Sequence, residues 1–126
     1  MISNVQSFMS ERNDIDLIRD IAESVARISL YTLNMEYEEF RKDKKTQDAV
    51  IRNIEIMGEA TKKLSEDIRK DYPNIPWKNI AGTRDKLIHN YFGVNIDIIW
   101  SIVQIEIPSL LPKIERIYQN LNEQGG

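Results

Sequence analysis

Three stretches of this chain place apolar residues at every third or fourth position, and that spacing fits few structures besides packed helices. The middle stretch is the plainest: Val50, Ile54, Met57, Thr61, Leu64 and Ile68 form one stripe at helical period. An earlier stretch carries Leu17, Ile18, Ile21, Ala22, Val25 and Ile28, continuing to Leu30 or Tyr31, and Asn13 or Asp14 can cap its start. The last carries Ile96, Ile99, Trp100, Val103, Ile107, Leu110, Leu111, Ile114, Tyr118 and Leu121. No alternating β-branched run competes with them, and inside the chain glycine occurs only at Gly58, Gly82 and Gly93. The expected fold class is all-α. The expected architecture is an up-and-down bundle of four to five helices, two of them long and antiparallel, with short helices between.

The punctuation refines this expectation. Thr46 is a plausible cap for a long helix running to about Lys70, and "DYPNIPW" ends it, because the residue before each proline is pushed away from helical angles. Gly58, in the middle of that helix, suggests close approach of another backbone. Pro76 suits the first position of a short helix, "PWKNIA", which is expected to stop at Gly82 before a second short helix, "TRDKLIHNY". Gly93 suits the end of that helix, and Asn95 can cap the last one, with Asp97 in its first turn. Pro108 should kink or divide the last helix. The connector "NMEYEEFRKDKKTQ" reads as charged surface, its basic run of Arg41, Lys42, Lys44 and Lys45 solvated. Trp77 and Trp100 read as core.

With 126 residues the chain is expected to form a single domain over 1–126, with a loose N-terminal tail at 1–11. Apolar residues make up 41% and charged residues 29%, a globular balance. There are no cysteines, which excludes disulfides and thiolate metal sites and permits a cytoplasmic location. The formal charge of −3 argues against a surface coated in phosphate contacts, so a nucleic-acid site would have to be local. The first residues lack the pattern of a secretory signal, and the most apolar stretch, broken by Asp97, Glu106 and Pro108, is too polar to span a bilayer.

The single histidine, His89, lies in "GTRDKLIHNYFGVN", five residues after Arg84 and two before Tyr91. Histidine exchanges protons near neutral pH, arginine carries a permanent planar charge suited to phosphate, and a phenol can bond phosphate or stack on a base. Together they suit RNA cleavage without a metal or other cofactor: a base takes the proton of a ribose 2′-OH, and a cation steadies the pentacoordinate phosphate. A lone histidine near a helix end can equally be a C-terminal capping group. On one helix Arg84 and His89 are about 140° apart, and His89 and Tyr91 about 200° apart. One helix therefore does not gather all three, whereas two copies across a two-fold axis could form a cleft that does. Glu55 and Glu59, one turn apart, could share a cation but read more simply as surface carboxylates. Glu59 could also brace the motif helix.

Arg84 through Tyr91 fits an R-x4-H-x-Y motif. The order around it, from Thr46 to Asn95, holds a Gly-Glu-Ala step at 58–60 and a Pro-Trp turn at 76–77. With "IIWSIVQIEIPSLL" after it, this set resembles the HepT-like ribonuclease toxins of the HEPN superfamily over about three-quarters of the chain. The resemblance implies a helical homodimer and a metal-independent endoribonuclease site in the dimer cleft. Arg84 and His89 would be catalytic, while Tyr91, Asp85 and Lys86 would position RNA or phosphate. It further implies a partner antitoxin, a minimal nucleotidyltransferase of the MntA type that transfers AMP to Tyr91. Asn95 stands where many relatives have aspartate, one helix cap replacing another. The alternative is a non-catalytic subunit that holds a nucleotide or RNA for such a transferase.

Overall fold

A computed structural model describes residues 13–88 and 95–125; within this range the side chains of Arg84, Asp85, Lys86 and Ile88 are outside the description. The expected tail at 1–11, together with His89, Tyr91 and Gly93, lies outside the described residues. Among the described residues the chain is helical with no strand: α1 (Asp14–Tyr31), α2 (Tyr37–Lys42), α3 (Lys44–Lys63), α4 (Glu66–Asp71), α5 (Trp77–Ile88), α6 (Ile96–Ser101) and α7 (Ile107–Gly125). A π-helical segment, Ile102–Glu106, joins α6 to α7.

Helix α1 begins at Asn13, whose side chain accepts from the Asp16 amide at 3.0 Å, with Asp14 and Asp16 placed favourably in its positive first turn. It packs against both α3 and α7. Ser65, just after α3, donates through its amide (3.0 Å) and its hydroxyl (2.5 Å) to the Asp14 carboxylate at the start of α1. Arg19, early in α1, donates to the Tyr118 hydroxyl, late in α7, at 3.2 Å. These contacts fix α1 antiparallel to both long neighbours. Leu17, Ile18, Ile21, Val25 and Ile28 meet Val50, Ile54 and Met57 of α3 and Ile107, Leu110 and Ile114 of α7 in one buried core. Leu30 and Tyr31 do not extend the stripe: Leu30 is exposed beside the turn at Asn34, which takes a positive φ of 59° to reverse the chain.

The helix expected over 46–70 is two helices. Its cap is Asp43, not Thr46: the Asp43 carboxylate accepts from the Thr46 amide at 3.0 Å and the Thr46 hydroxyl at 2.7 Å, which holds it below the usual carboxylate range. The helix stops at Lys63 because Leu64 turns extended (ψ 144°) and Ser65 caps α4. Arg69 reaches back to the Thr61 and Lys62 carbonyls at 2.6 and 3.3 Å, satisfying acceptors freed by the break. Leu64 and Ile68 remain buried, so the apolar pattern held although the helix did not. Gly58 is buried on the packed side of α3.

The last helix is divided at Pro108, as expected, through a π segment. The Ile107 amide bonds to the carbonyl of Ile102, five residues back. Proline has no amide to donate, and its ring would press on the carbonyl four residues back; widening the preceding turn relieves both. No helix among the described residues is long and apolar enough to cross a membrane.

Candidate functional site

The motif helix is one rod, not two. α5 runs from Trp77 to Ile88 straight through Gly82, where an added Cβ would meet nothing within 4 Å. The proline lies one position earlier than expected, as the cap: the Pro76 carbonyl accepts from the Ile80 amide at 3.1 Å. Trp77 is buried, and its indole N–H donates to the Tyr72 carbonyl at 3.0 Å. Ile80 and Leu87 complete the buried edge, and the rod packs against α3. Arg84 therefore rides on a helix clamped to the core at both ends.

Register sorts the candidates on this rod. Position 84 lies about 40° around the wheel from Ile80 and about 60° from Leu87, at the margin of the core-facing stripe. Positions 85 and 86 lie about 140° and 120° from Ile80 on the opposite side. His89 and Tyr91 fall within 89–94, outside the described residues.

The chain is held firmly where those six residues return. Asn95 caps α6, accepting from the Asp97 and Ile98 amides at 2.9 and 3.3 Å. The Asp97 carboxylate accepts the Tyr37 hydroxyl proton at 2.5 Å, and this bond to an anion pushes the Tyr37 phenol above its ordinary value. Trp100 packs beside Phe40 (ring centroids 5.0 Å apart) and edge-on to Tyr37 (6.2 Å). Phe40 and Tyr37 belong to α2, in the stretch read as a connector. Two signals for that helix were present: Glu36 and Glu39 form a reciprocal capping box, and acids at its start and bases at its end suit the helix dipole.

The basic run is exposed, as expected. Arg41 pairs with Glu38 at 2.9 Å and Lys44 with Asp48 at 3.8 Å, so half of the basic run serves its own helices. Glu55 and Glu59 line a shallow cleft between α1 and α3 with Asp20, Arg52 and Lys63, where the carboxylates share space with cations. Among the described residues no group of three or more metal-ligating side chains comes together.

A family model described as Ribonuclease HepT-like matches residues 21–117. A protein of Methanocaldococcus jannaschii named "Putative RNase MJ0127" is 50% identical over 102 residues, 81% of this chain and 84% of that protein. A "Probable ribonuclease HepT" of Thermococcus cleftensis is 46% identical over 107 residues, 85% of this chain and 97% of its own. A third, "Putative RNase MJ0125" of M. jannaschii, is 43% identical over 116 residues and is covered in full. No solved structure matches the chain.

Proposed function

We propose, since this chain belongs to the HepT-like ribonuclease family, that it is an RNA-cleaving toxin whose proton-transfer group is His89 and whose phosphate-binding cation is Arg84. His89 takes the proton of a ribose 2′-OH. The freed oxygen attacks the adjacent phosphorus, and the 5′-oxygen of the next nucleotide leaves with a proton. The products are a 2′,3′-cyclic phosphate and a 5′-hydroxyl end. Arg84 carries the charge that builds on the non-bridging oxygens. The observation that carries this reading is the sequence spacing R-x4-H-x-Y, whose first residue, Arg84, lies on a helix anchored to the core through Trp77 and Leu87.

The site is proposed to form between two copies. The five-residue step keeps Arg84 and His89 off one face of a helix. Ile98 and Ile105 are 46% and 67% exposed beside α5, apolar surface that a second copy can cover. Control is proposed to lie in Tyr91, modified by an MntA-type nucleotidyltransferase partner. AMP on the phenol adds a negative phosphodiester that competes for Arg84 and a nucleoside that fills space the RNA needs.

The test is cleavage of RNA by the isolated chain in excess EDTA. Cleavage that survives chelation and is lost on His89→Ala supports the reading; RNA bound but not cut favours the non-catalytic subunit. Mixing Arg84→Ala with His89→Ala chains should restore part of the activity, because a mixed dimer keeps one intact site. Incubation with the partner transferase and ATP should add AMP-sized mass to the peptide holding Tyr91, and Tyr91→Phe should escape both modification and silencing.

A further inference from the structure

At the far end of α5 from the motif, the turn after α4 and the middle of α7 enclose a depression of about 330 Å³, lined by Tyr72, Asn74, Pro112, Lys113, Arg116 and Ile117. Lys113 and Arg116 are three residues apart on one side of α7, both exposed, and among the described residues neither has an acidic partner within ion-pair distance. Tyr72 packs half-buried against the core, so its ring is held in place while lining the depression. Asn74 adds an exposed amide. A fixed aromatic ring, an amide and two uncompensated cations around one hollow are the elements of a base-and-phosphate site.

This depression connects toward the motif. Lys113 also lines a second hollow with Asn79 and Thr83 of α5, and Thr83 lines a third with Leu87, three positions beyond Arg84. The first and second hollows share Lys113 of α7, and the second and third share Thr83 of α5 and Glu106; α5 itself rises about 16 Å over its 12 residues. Glu106 lines the two hollows nearer the motif but not the one with the cation pair. Of these three hollows, the far one has two cations and no carboxylate in its lining.

We propose that Tyr72, Asn74, Lys113 and Arg116 form a second nucleotide-binding site, which holds a flanking nucleotide of single-stranded RNA whose cleaved bond lies at the motif. It rests on the ribonuclease reading and extends it: the enzyme grips its substrate at two points about one helix length apart. In a chain of net charge −3 the grip is local, and it favours RNA long enough to reach both points.

The experiment compares a dinucleotide, too short to reach, with a single-stranded dodecanucleotide. Both are followed by cleavage, and the longer one also by fluorescence anisotropy across a salt series in the His89→Ala background. For Lys113→Ala/Arg116→Ala, KM for the dodecanucleotide should rise with kcat unchanged, and the salt slope of its binding should fall by about 1.4, as two lost phosphate contacts on a single strand require. Dinucleotide cleavage and melting temperature should stay at wild-type values. Tyr72→Leu should weaken dodecanucleotide binding at least about fivefold, and Tyr72→Phe, which keeps the ring, should not. Equal effects on both substrates, or an unchanged salt slope, overturn the proposal and leave the hollow to a protein partner or to none. If the wild-type chain cuts neither RNA, the ribonuclease reading fails, while the anisotropy series still decides whether this site binds RNA.

Discussion

Along α1, α3 and α7 the buried positions are mostly aliphatic, and several buried polar groups bond to nearby backbone of the same helix, Thr32 just after α1 to Ile28, Asn53 to Ala49 and Thr61 to Met57, while Gln47 reaches the Phe40 and Arg41 carbonyls of α2. At the α5–α6 end two polar contacts run between elements. Tyr37 of α2 bonds Asp97 of α6, and Trp77 of α5 bonds the Tyr72 carbonyl after α4. The first region is held by area removed from water, which tolerates small displacements and gives stability. The second shares that buried core through Trp77, Ile80, Leu87 and Ile99 and adds directional bonds between elements, which give position. A chain that must carry a few chemical groups on a short helix benefits from dividing these tasks.

The sharpest test of that division is Arg84→Ala. If position 84 serves chemistry, RNA cleavage should fall by about 10²–10³-fold, the loss typical of one transition-state charge contact. The thermal midpoint should match wild type. A large drop in midpoint instead would place Arg84 in the structural half of the comparison. The converse is Ile54→Ala, at a position with no exposure. It should cost about 2–5 kcal/mol in denaturant unfolding, from lost transfer energy and the cavity left behind, while the folded fraction keeps its kcat. Loss of kcat in the folded fraction would show that the two regions are mechanically one.

The apolar stripes were legible because burial imposes a period, and the period survives local irregularity: Leu64 and Ile68 are buried across a break that nothing in their spacing reveals. That break is stabilised by Ser65 bonding Asp14, 51 residues away, and no local pattern encodes such a partner. Caps that close on their own backbone, Asn13 and Asn95, were readable for the same reason that Asp14–Ser65 was not. α2 was masked by its charge, since its one buried side chain, Phe40, shows no period by itself. For the site, only the helical position of Arg84 was legible and can be compared, since His89 and Tyr91 lie outside the described residues. Trp77 read as core and is buried, but the anchoring by Tyr37 and Phe40 was not legible, because it depends on which elements meet.

A smaller effect distinguishes the caps within the body. Hydrogen bonds from the Thr46 hydroxyl and then the Thr46 amide lower the Asp43 carboxyl in the folded protein. A group lowered on folding contributes stability that is complete above its unfolded value, about 3.9, and is lost as pH falls through its lower folded value. The midpoint of Asp43→Ala should therefore lie below wild type at neutral pH, and the gap should narrow as the pH drops below 4. A gap independent of pH would mean that the charge of the cap is idle.

The smallest effect falls on the seam between the two regions. Gly82 sits in the interior of α5, between the core-bound Trp77–Ile80 turn and the motif turn, where glycine costs about 1 kcal/mol relative to alanine. Neither of the usual reasons to keep a glycine applies. Its φ is not in the left-handed range, and an added Cβ meets no atom within 4 Å. Gly82→Ala should therefore stabilise the protein, by about 0.5–1 kcal/mol, through the helix and through a less flexible unfolded chain. If α5 acts only as a rigid mount, kcat should be unchanged or slightly higher. If cleavage falls while the midpoint rises, the motif half of α5 must bend against its anchored half during turnover, and the division between a stable body and a positioned site would run through the middle of this helix. A lower midpoint would refute the open space around position 82 itself.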